Sequence, residues 1–317
     1  MNHDTSNPER RLRMLRRMAW ICAALMLATI TLSAYMRLSQ AGLGCIDWPA
    51  CYGQGLRALQ SGDAPAAGHG VALARLAHRV VASATLVLVI VMVMTALLTR
   101  PVLKRQSALT LALLGVAVAL AVLGIFTPRA RLPFVAMGNL LGGFVMLALC
   151  VRLADSARPP GRAAEPESRF GFVAAAALVL LALQLAGGAL VSASYAALSC
   201  SGLADCLQAA AASGWDAQAL NPWREPVLES GAWPINRGSA LVLWLHQIAA
   251  LVLLALLGYL GLARWRRGRR DGALLLGLVA AQVVLGMAIA AFGLPLAGAL
   301  LHNLLGALLL ATLARWV

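Results

Sequence analysis

Acidic side chains are scarce in this chain of 317 residues: 12 Asp and Glu stand against 26 Lys and Arg, for a formal net charge of +14. None of the twelve falls within the cores of the long apolar runs. That absence works against a proton relay through those runs, because such relays ordinarily recruit carboxylates. Histidine is scarce too, with five in the chain and none between His78 and His246. Zinc or copper would require more donors than these imidazoles, and no inward Cys, Asp or Glu supplies them. The first apolar run has no Ala-x-Ala-like exit and is followed by Tyr35-Met36-Arg37, so the first helix is expected to be kept rather than cleaved.

What is abundant is apolar surface. Hydrophobic residues make up 61% of the chain, against about 45–50% in a soluble domain. Runs of about 20 apolar residues mark membrane helices. Eight are expected, at 18–36, 72–98, 107–126, 133–151, 170–192, 239–262, 272–292 and 296–314. The fold class is therefore all-α integral membrane. Most of the cationic residues lie in segments on one side of these spans, as in Arg10, Arg11, Arg13, Arg16 and Arg17 before the first and Arg264, Arg266, Arg267, Arg269 and Arg270 after the sixth. This is the positive-inside bias; it puts both termini in the cytoplasm and makes a nucleic-acid surface the poorer account of the charge.

The chain repeats itself. At a constant offset of 155 positions, Ala189, Ser194, Ala196, Leu198, Cys200 and Cys206 fall on Ala34, Ser39, Ala41, Leu43, Cys45 and Cys51. The fourth and eighth spans share a tetrapeptide, Asn139-Leu-Leu-Gly142 and Asn303-Leu-Leu-Gly306, which sets Gly138 opposite His302. Two pseudo-symmetric four-helix bundles in parallel orientation are expected. The expected organisation is a cytoplasmic basic lead at 1–17, disordered or lying at the headgroups, an N-terminal half at 18–151, a cytoplasmic linker with three prolines at 152–169, and a C-terminal half at 170–317.

On the outer side, Cys45 and Cys51 share a short loop, and Cys200 and Cys206 keep the same gap. In an oxidising compartment a disulfide is the ordinary reading; a redox-active pair is the alternative, and zinc a weaker one. Cys22 reads as a small core residue. Gly142 and Gly143 permit close backbone approach, or serve plain helix packing. Trp215, Trp223 and Trp233 are ordinary interfacial aromatics.

His78, His246 and His302 lie on even-numbered spans, about one and a half to two turns below the outer surface. Imidazoles at matching depth on facing helices suit the two axial positions of haem iron. A buried, hydrogen-bonded histidine and a proton relay are the competing readings. Arg75 and Arg79 lie within a turn of His78 and could hold an anionic ligand such as a haem propionate, or snorkel at the membrane edge. Asn139 sits at the depth of His78.

Several of these stretches together resemble the haem A synthase family over nearly the whole chain. The carriers are Arg37-Leu38 with Ala41-Gly42-Leu43-Gly44-Cys45-Ile46-Asp47-Trp48-Pro49-Ala50-Cys51, then His78-Arg79, His246 and His302. The resemblance implies an enzyme of the inner (cytoplasmic) membrane that oxidises a methyl group of haem O to the formyl group of haem A. It implies haem b held between His246 and His302, and a substrate haem in the N-terminal half under a disulfide-bearing loop. Haem A would pass to a terminal oxidase, with haem O synthase and oxidase assembly factors as partners and a homo-oligomer left open. Two positions depart from the family: its histidine in the fourth span is Asn139, and its acidic residue three before the helix-two histidine is Arg75. Asp47 is then the nearest carboxylate to act beside His78. A haem-binding delivery protein or a cytochrome b-like electron carrier are the readings these departures favour.

Overall fold

In a computed structural model the described residues are 8–62, 68–98, 101–126, 131–158, 168–228 and 236–316, and among them helix is the only regular element. Eight helices are long and apolar enough to cross a membrane: α1 (Pro8–Gln40), α3 (His69–Leu97), α4 (Lys104–Phe126), α5 (Pro133–Ser156), α6 (Ser168–Ala193), α8 (Ala240–Trp265), α9 (Arg270–Ala291) and α10 (Leu296–Ala314). Two short helices, α2 (Gln54–Ser61) and α7 (Leu203–Ala212), sit in the longer connections. The protein is an eight-span helical membrane protein. Many of its large exposed apolar side chains, among them Ile90, Ile125, Phe172 and Val284, lie on these helices, where a bilayer replaces water as the solvent.

Helix starts and stops follow local chemistry. Pro133 opens α5 at its first turn, where its missing N–H is no loss, and Pro295 immediately precedes α10. The turn from α8 to α9 passes through Gly268 at φ 74°, a left-handed conformation that glycine adopts without a Cβ clash.

The basic lead differs from expectation. It is helical from Pro8, and α1 is 33 residues, about 50 Å, long. That exceeds the roughly 30 Å hydrocarbon core, so α1 projects from it. Arg11 explains why the lead is ordered: its guanidinium is buried and donates to the carbonyls of Pro101 at 2.8 Å and Thr95 at 2.7 Å, tying it to the α3–α4 connection. Residues 1–7 and half of the 152–169 linker, 159–167, fall outside the described residues.

In the N-terminal half α1 packs on α3 and α5, and α4 packs between α3 and α5. In the C-terminal half α8 packs on α6 and α9, and α10 on α9 and α6. The halves meet where α10 lies on α1 and α5 and where α5 lies on α6. The first half is filled by Leu15, Cys22, Met26, Val89, Met92, Leu113, Leu147 and Cys150, all nearly inaccessible. Cys22 and Cys150 are free, with their sulfurs 3.1 Å apart.

At one end of the bundle Arg264 donates to Asp271 at 2.7 Å and stacks over Trp316 at 4.2 Å, while Arg315 reaches Asp155 at 3.2 Å across the two halves. At the other end lie both cysteine pairs. Cys45–Cys51 and Cys200–Cys206 stand at disulfide distance, with Cα separations of 6.7 and 5.0 Å. Trp48, Tyr52 and Tyr195 meet edge-on there at 5.4 and 5.5 Å, joining the first loop to the segment after α6. Trp223 stacks on Phe134 at 3.8 Å and Trp215 meets Trp244 at 5.6 Å; these rings dock the second loop on α5 and α8. Trp233 lies outside the described residues.

Candidate functional site

The C-terminal half encloses a cavity of about 1380 Å³. That is larger than the roughly 300–1,000 Å³ of an ordinary small-ligand pocket, and its walls are mostly apolar. Leu181 and Leu185 come from α6, Leu253 and Leu257 from α8, Val279 and Val283 from α9 and Leu309 from α10. Leu140 and Phe144 of α5 and Leu38 of α1 complete the wall, so both halves contribute.

His246 and His302 both line this cavity. Each is the seventh residue of its helix, α8 and α10, so the two imidazoles enter at the same helical height. The structure also brings to each ring two residues that the histidine pattern did not point to. Gln184 places its amide nitrogen 3.5 Å from His246 Nε2 and donates to the His246 carbonyl at 3.0 Å. Gln282 places its amide nitrogen 3.2 Å from His302 Nε2. One turn on, Gly188 and Gly286 leave room for the rings: a Cβ would stand 2.9 Å from His246 Cε1 at the first and 3.4 Å from His302 Cε1 at the second. The signal was present in the sequence as Gln-x-x-x-Gly in the fifth and seventh spans. It is silent until one knows which helix faces which.

Nδ1 of both histidines, Oε1 of Gln184, Gln247 and Gln282, and Nδ2 of Asn303 are buried without a hydrogen-bond partner among the described residues. Native interiors rarely leave so many polar atoms unpaired in one place.

Toward the disulfide-bearing end the wall becomes polar. Arg37 lines the cavity and donates to Ser192 Oγ; the two residues differ by 155 positions, the same offset as the sequence repeat. Tyr52 also lines it and is 2% exposed. Burial pushes its phenol well up, with Tyr195 adding to the shift, and burial likewise raises Tyr195 to about 12. Both phenols therefore remain protonated donors. Ser199, Ser201, Asp205 and Gln208 finish this rim. Asp205 accepts from the Ser201 amide at 2.7 Å and hydroxyl at 2.9 Å, which anchors the start of α7.

The N-terminal candidates fall elsewhere. His78, on α3, is half-buried and is not on the cavity wall. Asn139 is the seventh residue of α5 and likewise stands off the wall. Arg75 and Arg79 are exposed. Arg79, adjacent to His78, points about 100° around the helix from it; only Arg75, at i−3, shares its face. Asp47 is exposed on the first loop. The glycines of α5 serve close packing: a Cβ at Gly142 would meet Leu120 Cδ2 at 2.5 Å, one at Gly138 Leu123 Cδ2 at 2.7 Å and one at Gly143 Ile30 Cγ1 at 3.2 Å.

The COX15-CtaA family, described as "Cytochrome oxidase assembly protein", matches residues 16–314. A protein of Shewanella oneidensis named "Heme A synthase" is 32% identical over 309 residues, covering 90% of this chain and 91% of its own length. The match takes in all eight spans, both cysteine pairs and the histidines of the cavity; this chain belongs to the COX15-CtaA family of cytochrome oxidase assembly proteins, the haem A synthases.

Proposed function

We propose that the chain holds haem b between His246 and His302 and acts as a membrane oxidoreductase that converts the methyl group of haem O to the formyl group of haem A for a terminal oxidase. The observation that carries this reading is the pair of imidazoles at one helical height on a large apolar cavity, each with a buried ring nitrogen that has no hydrogen-bond partner among the described residues. The donor set fits haem: two neutral nitrogens from facing helices, glycines where a side chain would strike the rings, and leucine and valine against a flat apolar ligand. Bound there, haem would supply a redox-active iron. The chain's own part would be to hold it through the imidazoles of His246 and His302 and to exclude water. Arg37, at the polar end of the wall, is placed to take a carboxylate edge.

On the same reading the N-terminal half receives haem O. His78 offers one imidazole, Asn139 an amide that ligates iron poorly, and Arg75 and Arg79 guanidiniums for propionates near the surface. Asp47 is the carboxylate at hand in the first loop. The two halves are pseudo-symmetric, both termini lie in the cytoplasm, and the membrane is the cell's inner one; the arginine-rich α8–α9 turn supports that orientation. Haem O synthase and oxidase assembly factors would be the partners in supply and delivery.

A second reading has its own observation. Leu120 and Leu123 reach the α5 glycines at the level where the C-terminal half is hollow, and Asn139 stands in place of an imidazole. A protein of this kind would carry haem b only, as a delivery factor or an electron carrier. Expression in a host that makes haem O, followed by haem extraction and mass analysis, separates the two. Haem A in the extract supports the synthase; haem b alone supports the carrier.

A further inference from the structure

The first loop leaves the half it belongs to. It joins α1 to α3, both in the N-terminal half. Yet Leu38, Ala41, Leu43 and Tyr52, each 7% exposed or less, pack against Leu198 beyond α6 and against Leu294, Leu296 and Ala299 where α9 turns into α10. All four also line the cavity of His246 and His302. Trp48 and Gly44 extend the cover. A Cβ at Gly293, in the α9–α10 turn, would lie 3.9 Å from Trp48 Nε1, and one at Gly44 would meet Leu296 Cδ2 at 3.2 Å. The later part of the second loop makes the reverse crossing. The Phe134 N–H, at the start of α5, donates to its Pro222 carbonyl at 2.9 Å, and Trp223 stacks on the Phe134 ring.

The covering segment is closed on itself. The Gly53 N–H donates to the Ala41 carbonyl at 2.8 Å, and Cys45 and Cys51 stand at disulfide distance within it. Its two ends turn at Gly42, φ 100°, and Gly53, φ 78°, conformations that glycine adopts freely. A segment tied this way moves as one body about its ends. The surface that receives it is less relaxed. Tyr195, φ 58°, and Leu294, φ 64°, are both left-handed, which residues with a side chain adopt rarely and keep only where packing holds them. Tyr52 meets Tyr195 edge-on, and Leu294 belongs to the same apolar cluster. Lifting the segment removes packing from both.

We propose that residues 41–53 are a lid on the C-terminal cavity: the disulfide-bearing loop of one half closes the mouth of the other, and a flat ligand passes between that mouth and the site only when the loop lifts. Closed, the lid keeps water from His246 and His302. That the ligand is haem rests on the reading of these two histidines as its ligands; the lid rests on the packing of the first loop alone. The crossing also makes the C-terminal site incomplete without the N-terminal half.

The test uses the full-length protein in detergent and two readouts. The first needs no haem. Ala299 lies on the cavity wall beneath the lid, so Ala299→Cys reports the opening of the mouth through its reaction with a charged, water-soluble maleimide. Labelling of the folded protein should be slow, and several-fold faster when Trp48→Ala or Gly44→Ala is added. Trp223→Ala, which loosens the second loop from α5, should leave the rate as it is. The second readout is transfer of bound haem to apomyoglobin. Trp48→Ala should speed it several-fold while the absorption spectrum of the bound haem stays native. If Trp48→Ala fails to accumulate, Gly44→Ala decides the matter alone. Rates equal to native in both lid variants, or raised equally by Trp223→Ala, overturn the lid. A native protein without a bis-imidazole spectrum overturns the haem reading only, and the maleimide rates still decide the lid.

Discussion

In the C-terminal half, α10 presents His302 beside Gln282, 3.2 Å away, on the wall of a cavity of about 1380 Å³. In the N-terminal half, α5 carries the matching tetrapeptide but has Gly138 before it where α10 has His302, and Leu123 and Leu120 close against its glycines. The same order of helix neighbours thus supports a lined cavity in one place and a leucine-on-glycine contact in the other. A packed helix pair can be filled by two leucines, or be held apart by an amide and a ring over glycine.

The largest expected effect breaks the comparison on its filled side. If the proposed haem site is right, His246→Ala or His302→Ala should abolish the low-spin bis-imidazole spectrum of the purified protein, since each would remove one imidazole from the iron. An unchanged spectrum in both single variants would refute the assignment. The next effect is in the N-terminal half. Haem A formation by the native protein should be slow, and Arg75→Glu combined with Asn139→His should raise it several-fold in a haem O-producing host, by mass analysis of extracted haem. Brisk native synthesis that Arg75→Glu impairs would show that this lineage arranges the chemistry differently.

Smaller changes sharpen the contrast. Gly188→Ala puts a methyl 2.9 Å from His246 Cε1 and should displace that ring, shifting the haem spectrum; Gly124→Ala, with nothing within 4 Å, should leave it as it is. Equal spectra in the two variants would remove the steric argument. The disulfide-bearing ends of the halves should behave alike. Alkylation before reduction should label Cys22 and Cys150 in unfolded protein and spare the other four, and removing either bridge should cost about 2 kcal/mol. Labelling of all six without reductant would contradict the pairing.

The smallest effect lies in the second loop. The Gln218 amide, first, and Arg224 hold the Asp216 carboxyl below its usual range. Its folded value is thus lower than its unfolded one. The resulting stability is fully present above about pH 4, the ordinary carboxylate value, and is lost as pH falls through the folded value. Melting curves between pH 5 and pH 2 should show a slightly larger loss for the native protein than for Asp216→Asn; identical losses would remove the effect.

The eight spans were legible in the sequence because a membrane helix is specified locally, by length and the absence of charge. The helical lead was not, since Arg11 is ordered by carbonyls some ninety residues away. His246 and His302 stood out because an imidazole is costly in apolar surroundings. Gln184 and Gln282 carry no charge and interrupt the apolar period only once each, so they read as incidental until α6 and α9 were seen to face the histidine helices. Arg37 was visible as part of the first-loop pattern, but its place on the wall of the C-terminal cavity depends on contact between halves, which no local signal encodes.

Arg264 gives the C-terminal half a mechanical asymmetry. Its guanidinium, gripped by Asp271 and lying on Trp316, joins the ends of α8, α9 and α10. His246 stands eighteen residues away along the same α8, a lever arm of about 27 Å. With that fulcrum fixed, any splaying of α8 against its neighbours grows with distance from it. A gap opened by such splaying would be widest at the tyrosine and serine rim and narrowest at the arginine end.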